Sequence, residues 1–334
     1  MTLQFHSSPP ALSRHGESAL GGALLGQQLP VSPPGWPLQA ICAPLLGADT
    51  VVVQETWRRT TPPLQGVSEG VTWRRSGDTL FGVINLDEAE FAAAADRSPL
   101  QAASEEAYDR IFRLLDAQKL PHLWRVWNYM ADINAETHGL ERYRQFNVGR
   151  QDAFLAYHRG TRGNVPAACA IGLAGGPLSI AFLAGATPAV PFENPRQVSA
   201  YNYPAEYGPR APTFSRAALV YPPGQERLFV SGTASIVGYL TVHPGDVAGQ
   251  CGEAMANVAA VVAEVNRAAR SRPFTLDELV YRVYVRRAAD FPVIRDTLVP
   301  LVGGADVLYV QADICRADLL LEIEAMASHP LGTD

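Results

Sequence analysis

Lysine is almost missing from this chain. The sequence has 27 basic side chains, and Lys119 is the only one that is not arginine. Most Schiff-base chemistry needs a lysine amine, so that route is largely closed. Cysteine is scarce too, with four residues at 42, 169, 251 and 315. None forms a Cys-x-x-Cys pair or stands at zinc spacing with a histidine, so all read as free thiols in a reducing compartment. The seven histidines (6, 15, 122, 138, 158, 243, 329) show no metal spacing such as His-x-x-x-His. No apolar run of about 18 residues is present to span a membrane. The opening MTLQFHSSPPALSRHGES has no apolar core of signal-peptide length. The expectation is a cytoplasmic protein without membrane contact. A net charge of −6 leaves no basic footprint for nucleic acid.

What remains is an ordinary globular composition, 47% hydrophobic and 18% charged over 334 residues, a length that favours two domains. One pattern is written twice. DTLFGVI (78–84) resembles ERLFVSG (226–232), and each reads as a strand. A helix follows each: EEAYDRIFRLLDAQ (105–118) and CGEAMANVAAVVAEVNRAAR (251–270), with apolar residues such as Ile111, Leu114 and Leu115 or Val258, Val261, Val262 and Val265 at helical spacing. Alternating strands come next, HLWRVWNYMADIN (122–134) and LVYRVYVRRAADF (279–291), then helical stretches around 139–147 and 292–301. Two strands close each copy, within 165–186 and 305–327. Two helices covering one face of a mixed sheet make each copy an α+β unit. Residues 1–75 lie outside the clean repeat; they hold a strand at 50–57 and a Pro-rich stretch at 28–37. The expected division is 1–200, a connecting segment at 201–217, and 218–334.

The connecting segment, YNYPAEYGPRAPTFSRA, carries three tyrosines, three prolines and two arginines. Its prolines forbid a helix and make a central strand unfavourable. Tyr203, Tyr207, Arg210 and Arg216 suit a partly dry pocket for an anion, at a junction where clefts are common; a linker plugged by aromatic side chains is the alternative. Near the carboxyl end, LLLEIEA puts Glu322 and Glu324 on one face of a strand. Desolvation there raises a carboxyl pKa and suits Glu322 to proton donation; a sheet-edge carboxylate paired with an arginine such as Arg316 is the alternative. Cys315, alone in its strand, reads as a small core hydrophobe. LAGGP (173–177) lacks the G-x-G-x-x-G form and reads as a turn. Ser235 has no base paired with it. The two WRR runs (57–59, 73–75) read as exposed strand residues with partly buried tryptophans.

The second copy resembles the RidA (YjgF) superfamily in SGTASIVG (231–238), in the series Asp246, Gln250, Asn257, and in EIEAMA (322–327). The first copy is similar but weaker. The resemblance implies two chorismate-mutase-like α+β units, of a kind that commonly assembles as trimers, so this chain is expected as a monomer or a homotrimer. RidA imine hydrolases carry an arginine in a Pro-x-Arg-Ser element. Here Val165-Pro166-Ala167-Ala168 and Asp306-Val307-Leu308-Tyr309 have none, which argues against imine deamination.

The whole combination resembles the chorismatase family: a divergent RidA-like first half, the Tyr/Arg segment ending FSRA, SGTAS, and VQADICRADLLLEIEA (310–325). The likeness spans most of the chain beyond roughly the first 40 residues. It implies cleavage of the enolpyruvyl ether of chorismate with release of pyruvate and no cofactor or metal. Glu322 matches the family's glutamate and would be the general acid. Arg210 and Arg216 would clamp the two carboxylates, Tyr203 and Tyr207 would supply walls or hydroxyl donors, and Arg150 would be a further cation. Cys315 and Gly232 resemble the members that form 3-hydroxybenzoate, where members forming a dihydroxycyclohexadiene acid tend to have alanine; that hydrolysis and a mixture with 4-hydroxybenzoate are the alternatives. Outside this chemistry stand a non-catalytic RidA-like metabolite-binding protein and a trimeric scaffold with no pocket.

Overall fold

The computed structural model describes residues 2–9, 18–30, 35–92 and 97–332. Part of the Pro-rich stretch (31–34) and His15 lie outside the described residues.

Four helices carry the outer layers. Ser98 caps α1 (Pro99–Gln118) by accepting from the Gln101 amide, Pro99 starts the first turn, and Lys119 ends the helix in the left-handed conformation. Asp246 caps α3 (Val247–Asn266) by accepting from the Gly249 amide. Both helices therefore begin earlier than their apolar periodicity indicates, at caps that lie in polar sequence. α2 (Arg142–Ala156) runs well past the expected 147, and α4 spans Phe291–Val302. Gly149 lets α2 approach α1, because a Cβ there would overlap the Gln101 carbonyl.

The first large sheet has six strands in the order Ala167–Leu173, His122–Ala131, Leu178–Gly185, Thr79–Leu86, Val71–Ser76, Leu64–Ser68. The second has seven: Val190–Phe192, Ala217–Val220, Gln225–Thr233, Leu321–Pro330, Val280–Val285, Val307–Gln311, Leu45–Leu46. The same four-strand order recurs in both: first, last, second and third strand of each repeat. Among the described residues the only parallel neighbours in these two sheets are the second and third strands, and a helix crosses between them each time. Two edge strands of the second sheet, Leu45–Leu46 and Val190–Phe192, come from before residue 200, so the halves share strands across the expected boundary.

Each sheet buries one face beneath its own helices, α1 and α2 on the first and α3 and α4 on the second. The opposite faces meet in a central core that includes Trp127, Tyr129, Phe229 and Tyr284. A third sheet, ordered Gln4–Ser8, Val52–Arg58, Ala19–Gly26, Leu38–Cys42, adds Leu20, Leu25, Ile41 and Trp57 to it. The exposed reading of the first WRR run is corrected here. Trp57 is buried against Phe5, Trp127 and Phe229, and Arg59 is buried and bonded to Asp78 at 3.1 Å. Trp73, Arg74 and Arg75 are half-buried. No helix among the described residues is long and apolar enough to cross a membrane.

Candidate active site

A cavity of about 320 Å³ opens where α2, the strand Ala167–Leu173, the connecting segment and the ends of Gln225–Thr233 and Leu321–Pro330 converge. Its floor is Glu322. The strand that carries it lies inside the second sheet, with Tyr284 opposite Glu322 on one side. On the other side the register slips between Val230 and Thr233, which brings Gly232 beneath the carboxyl group. A Cβ on Gly232 would overlap that carboxylate, so glycine is what lets it lie flat. Glu322 is 4% exposed and forms no ion pair among the described residues. Burial, reinforced by the charge of Glu324, pushes its pKa up to about 8 against the opposing pull of Arg125, Cys315 and Arg216. The carboxyl group therefore holds a proton at neutral pH while facing open space.

Cys315 lies beside it, its Sγ donating toward Glu322 Oε2 at 3.9 Å. Burial, then the neighbouring Glu322, raises the thiol far above its ordinary range. Cys315 therefore carries its proton here. Tyr143 of α2 completes this corner, its hydroxyl also held protonated by burial.

Three guanidinium groups line the walls. Arg150 comes from α2, donates to Asn147 at 2.7 Å and lies 4.9 Å over the Phe146 ring. Arg216 ends the connecting segment and donates to the Val198 carbonyl and the Tyr203 hydroxyl, both at 2.9 Å. Arg316 follows Cys315, donates to the Tyr239 carbonyl at 2.8 Å and stacks 4.3 Å over the Tyr207 ring. Each also has one buried nitrogen with no hydrogen-bond partner among the described residues: Nε of Arg150, Nε of Arg216 and Nη2 of Arg316.

The connecting segment forms the outer wall because its prolines break it into two single 3-10 turns, Ala200–Asn202 and Ala205–Tyr207. Tyr203 and Tyr207 stand with ring centres 5.5 Å apart. A clasp through serine joins the halves behind this wall. The Ser231 hydroxyl donates to the Ser215 carbonyl at 2.6 Å and accepts from the Ala168 amide at 2.9 Å. The Ser231 amide in turn donates to the Arg216 carbonyl, which fixes the start of that side chain.

Seven of the eight residues proposed from sequence therefore share one cavity: Glu322, Cys315, Arg216, Arg150, Tyr203, Tyr207 and Gly232. Arg210 does not. Its side chain is 45% exposed and paired with Asp152 of α2 at 3.1 Å, which turns it away from the cavity. The sequence reading missed Arg316 as a wall cation, naming it only as a possible partner of Glu322. Gly232 makes room for the Glu322 carboxylate.

A protonated acid facing three guanidiniums and two tyrosines is the equipment of an enzyme acting on a small organic anion. Residues 55–184 match the family model for the amino-terminal part of FkbO/Hyg5-like chorismatases. The chain is 40% identical to a chorismatase of Streptomyces rapamycinicus over 283 residues, covering 82% of each protein. It is 37% identical to a 3-hydroxybenzoate synthase of Streptomyces hygroscopicus over 286 residues, 81% of this chain and 80% of that one. A crystal structure of a chorismatase superposes with a TM-score of 0.86 at 34% identity and covers 98% of both chains. The chain belongs to the chorismatase family.

Proposed function

We propose that this protein cleaves the enolpyruvyl ether of chorismate to pyruvate and 3-hydroxybenzoate, with Glu322 as general acid. One observation carries the reading: a buried, unpaired, proton-bearing carboxyl group shares a cavity of about 320 Å³ with three guanidiniums. That volume suits a single small ring. Arg216, Arg150 and Arg316 would bind its carboxylates, and Tyr203 and Tyr207 would bound it.

Glu322 gives its proton to the methylene carbon of the enol ether. The ring carbon–oxygen bond breaks, and its electrons make the ether oxygen the ketone oxygen of pyruvate. The neighbouring ring hydroxyl oxygen bonds the vacated carbon and returns its proton to Glu322, giving an epoxide. That oxygen's original carbon–oxygen bond then opens, and hydrogen shifts from the carbon that keeps the oxygen to its neighbour. Loss of a proton from that neighbour to the oxygen aromatises the ring to 3-hydroxybenzoate. Atoms balance without water. The 3-hydroxybenzoate synthase relative supports this product, as do Cys315 and Gly232, both set against Glu322. The same reading takes the two sheets of like strand order as two RidA-like units, 1–200 and 218–334, joined by 201–217.

The test is to incubate purified protein with chorismate, assay pyruvate and identify the second product. Pyruvate with 3-hydroxybenzoate is expected. Absence of pyruvate overturns the reading, as does binding of chorismate that Glu322→Gln leaves intact with no turnover in either protein. A dihydroxycyclohexadiene acid or a mixture with 4-hydroxybenzoate keeps the ether cleavage and rejects the product.

A further inference from the structure

Behind the floor of the cavity lies a cluster of four buried charges that the proposed chemistry does not use. Arg125, from the first sheet, pairs with Glu324 Oε2. Arg282, from the second, pairs with Glu55 and lies 3.1 Å from Glu324 Oε1. The hydroxyls of Tyr129 and Tyr284 are 2.6 Å apart, Arg282 donates to both, and Tyr284 also donates to Glu324 at 3.2 Å. All four charged side chains are at most 7% exposed. Stability is a weak reason to keep such a group, since well-packed apolar residues often do as well.

The cluster distributes its cations unequally. Glu322 and Glu324 project from the same face of one strand, two residues and so about 6.6 Å apart. Both guanidiniums go to Glu324 and neither pairs with Glu322. Two like carboxyl groups that close in a dry interior do not both ionise readily. The cations are gathered on Glu324, and Glu322 is left facing the cavity without one. Pairs whose surroundings separate them in this way mark the division of acid and base roles.

We propose that Glu324 is a positioning residue: clamped as a carboxylate by Arg125 and Arg282, it reserves the proton for Glu322. This rests on the reading of Glu322 as the general acid. Other titratable groups line the cavity that Glu322 faces, the charged Glu141, Arg144 and Asp318 among them. Tyr143 and Arg150 approach from α2, and Cys315 and Arg316 from the loop before its strand. Arg216 faces it from the connecting segment, Cys169 from Ala167–Leu173 and Tyr284 from the adjoining strand. Among them Arg216 and Arg125 act against protonation, and Glu324 is the carboxylate that opposes them.

The test is the alkaline limb of kcat/KM with chorismate. Glu324→Gln is expected to move it acidward by about one to two pH units, the size of one charge at this separation in a protein interior. Arg125→Gln is expected to move it the other way. Loosened packing would admit water and shift both variants acidward, which would overturn the proposal. Glu324→Asp restores the charge and should return the limb toward wild type; if it behaves as Glu324→Gln does, the proposal also falls. This rescue decides the matter should Arg125→Gln not fold. A limb present in wild type but unmoved in Glu324→Gln sinks only this inference. A wild-type profile with no such limb sinks the reading of Glu322 and this inference with it.

Discussion

Gly232 lies directly under the carboxylate of Glu322, so close that a single added methyl group would occupy the same space. The overlap falls on the far end of a side chain, not on backbone. Gly232→Ala should therefore fold normally and push Glu322 aside. A displacement of about 1 Å at a reacting group can cost about a hundredfold. Pyruvate release by Gly232→Ala is expected to fall 10- to 100-fold at an unchanged melting temperature, measured by coupled assay and thermal unfolding. Wild-type turnover in this variant would show that the carboxylate does not work from this position.

Glu322→Gln removes the proton donor and keeps the shape. Turnover should drop about 10²- to 10⁴-fold, the usual share of general acid catalysis. Stability gives a second reading. In the unfolded chain this carboxyl titrates near 4.5, in the native protein at about 8. Between these values only the native state holds the proton. The stability linked to it is full below about 4.5 and is lost as pH rises to about 8. Denaturant titrations across this range should show that slope in wild type and a flatter one in Glu322→Gln.

Arg316 and Arg210 make a matched pair. Arg316→Gln leaves an acceptor on the substrate without its charged donor, and KM should rise about 10- to 100-fold. Arg210→Ala breaks only a solvent-exposed pair with Asp152, of a kind worth little, so both kcat and KM should stay within about twofold of wild type.

The thiols should separate by reactivity. Cys42 is exposed, Cys169 and Cys251 are buried, and burial raises Cys169, Cys251 and Cys315 above the ordinary thiol range. Thiolate is the reactive form. Iodoacetamide at pH 8 should label one site quickly, and Cys42→Ala should abolish that phase. Cys315→Ala should change the ratio of aromatic to diene product; an unaltered ratio would deny Cys315 any steering part.

Much of this arrangement could be read from the chain. Ile111, Leu114 and Leu115, or Val258, Val261 and Val262, face the core because their spacing follows the turn of a helix. Glu322 and Glu324 share a face because a strand alternates. What escaped depended on distance along the chain. Nothing near Arg316 signals that Tyr207, more than a hundred residues earlier, will lie under its guanidinium. Nothing near Arg210 signals Asp152. Of the four-strand amino-terminal sheet only the strand at 50–57 was legible, because its residues complete a core whose other members, such as Phe229 and Tyr284, lie far downstream. Arg142 to Ala156 form a helix with little apolar rhythm, since buried Gln145, Asn147 and Arg150 stand where a rule of thumb expects leucine.

The serine clasp has an evolutionary corollary. Arg150 is encoded before residue 200 and Glu322 after 218, and Ser231 fastens the strand that follows one to the segment that walls the other. Neither half inherited a complete set of working parts. If the gene arose by duplication, its daughters surrendered autonomy, and any later split or reshuffling of the two would have to rebuild catalysis from the beginning.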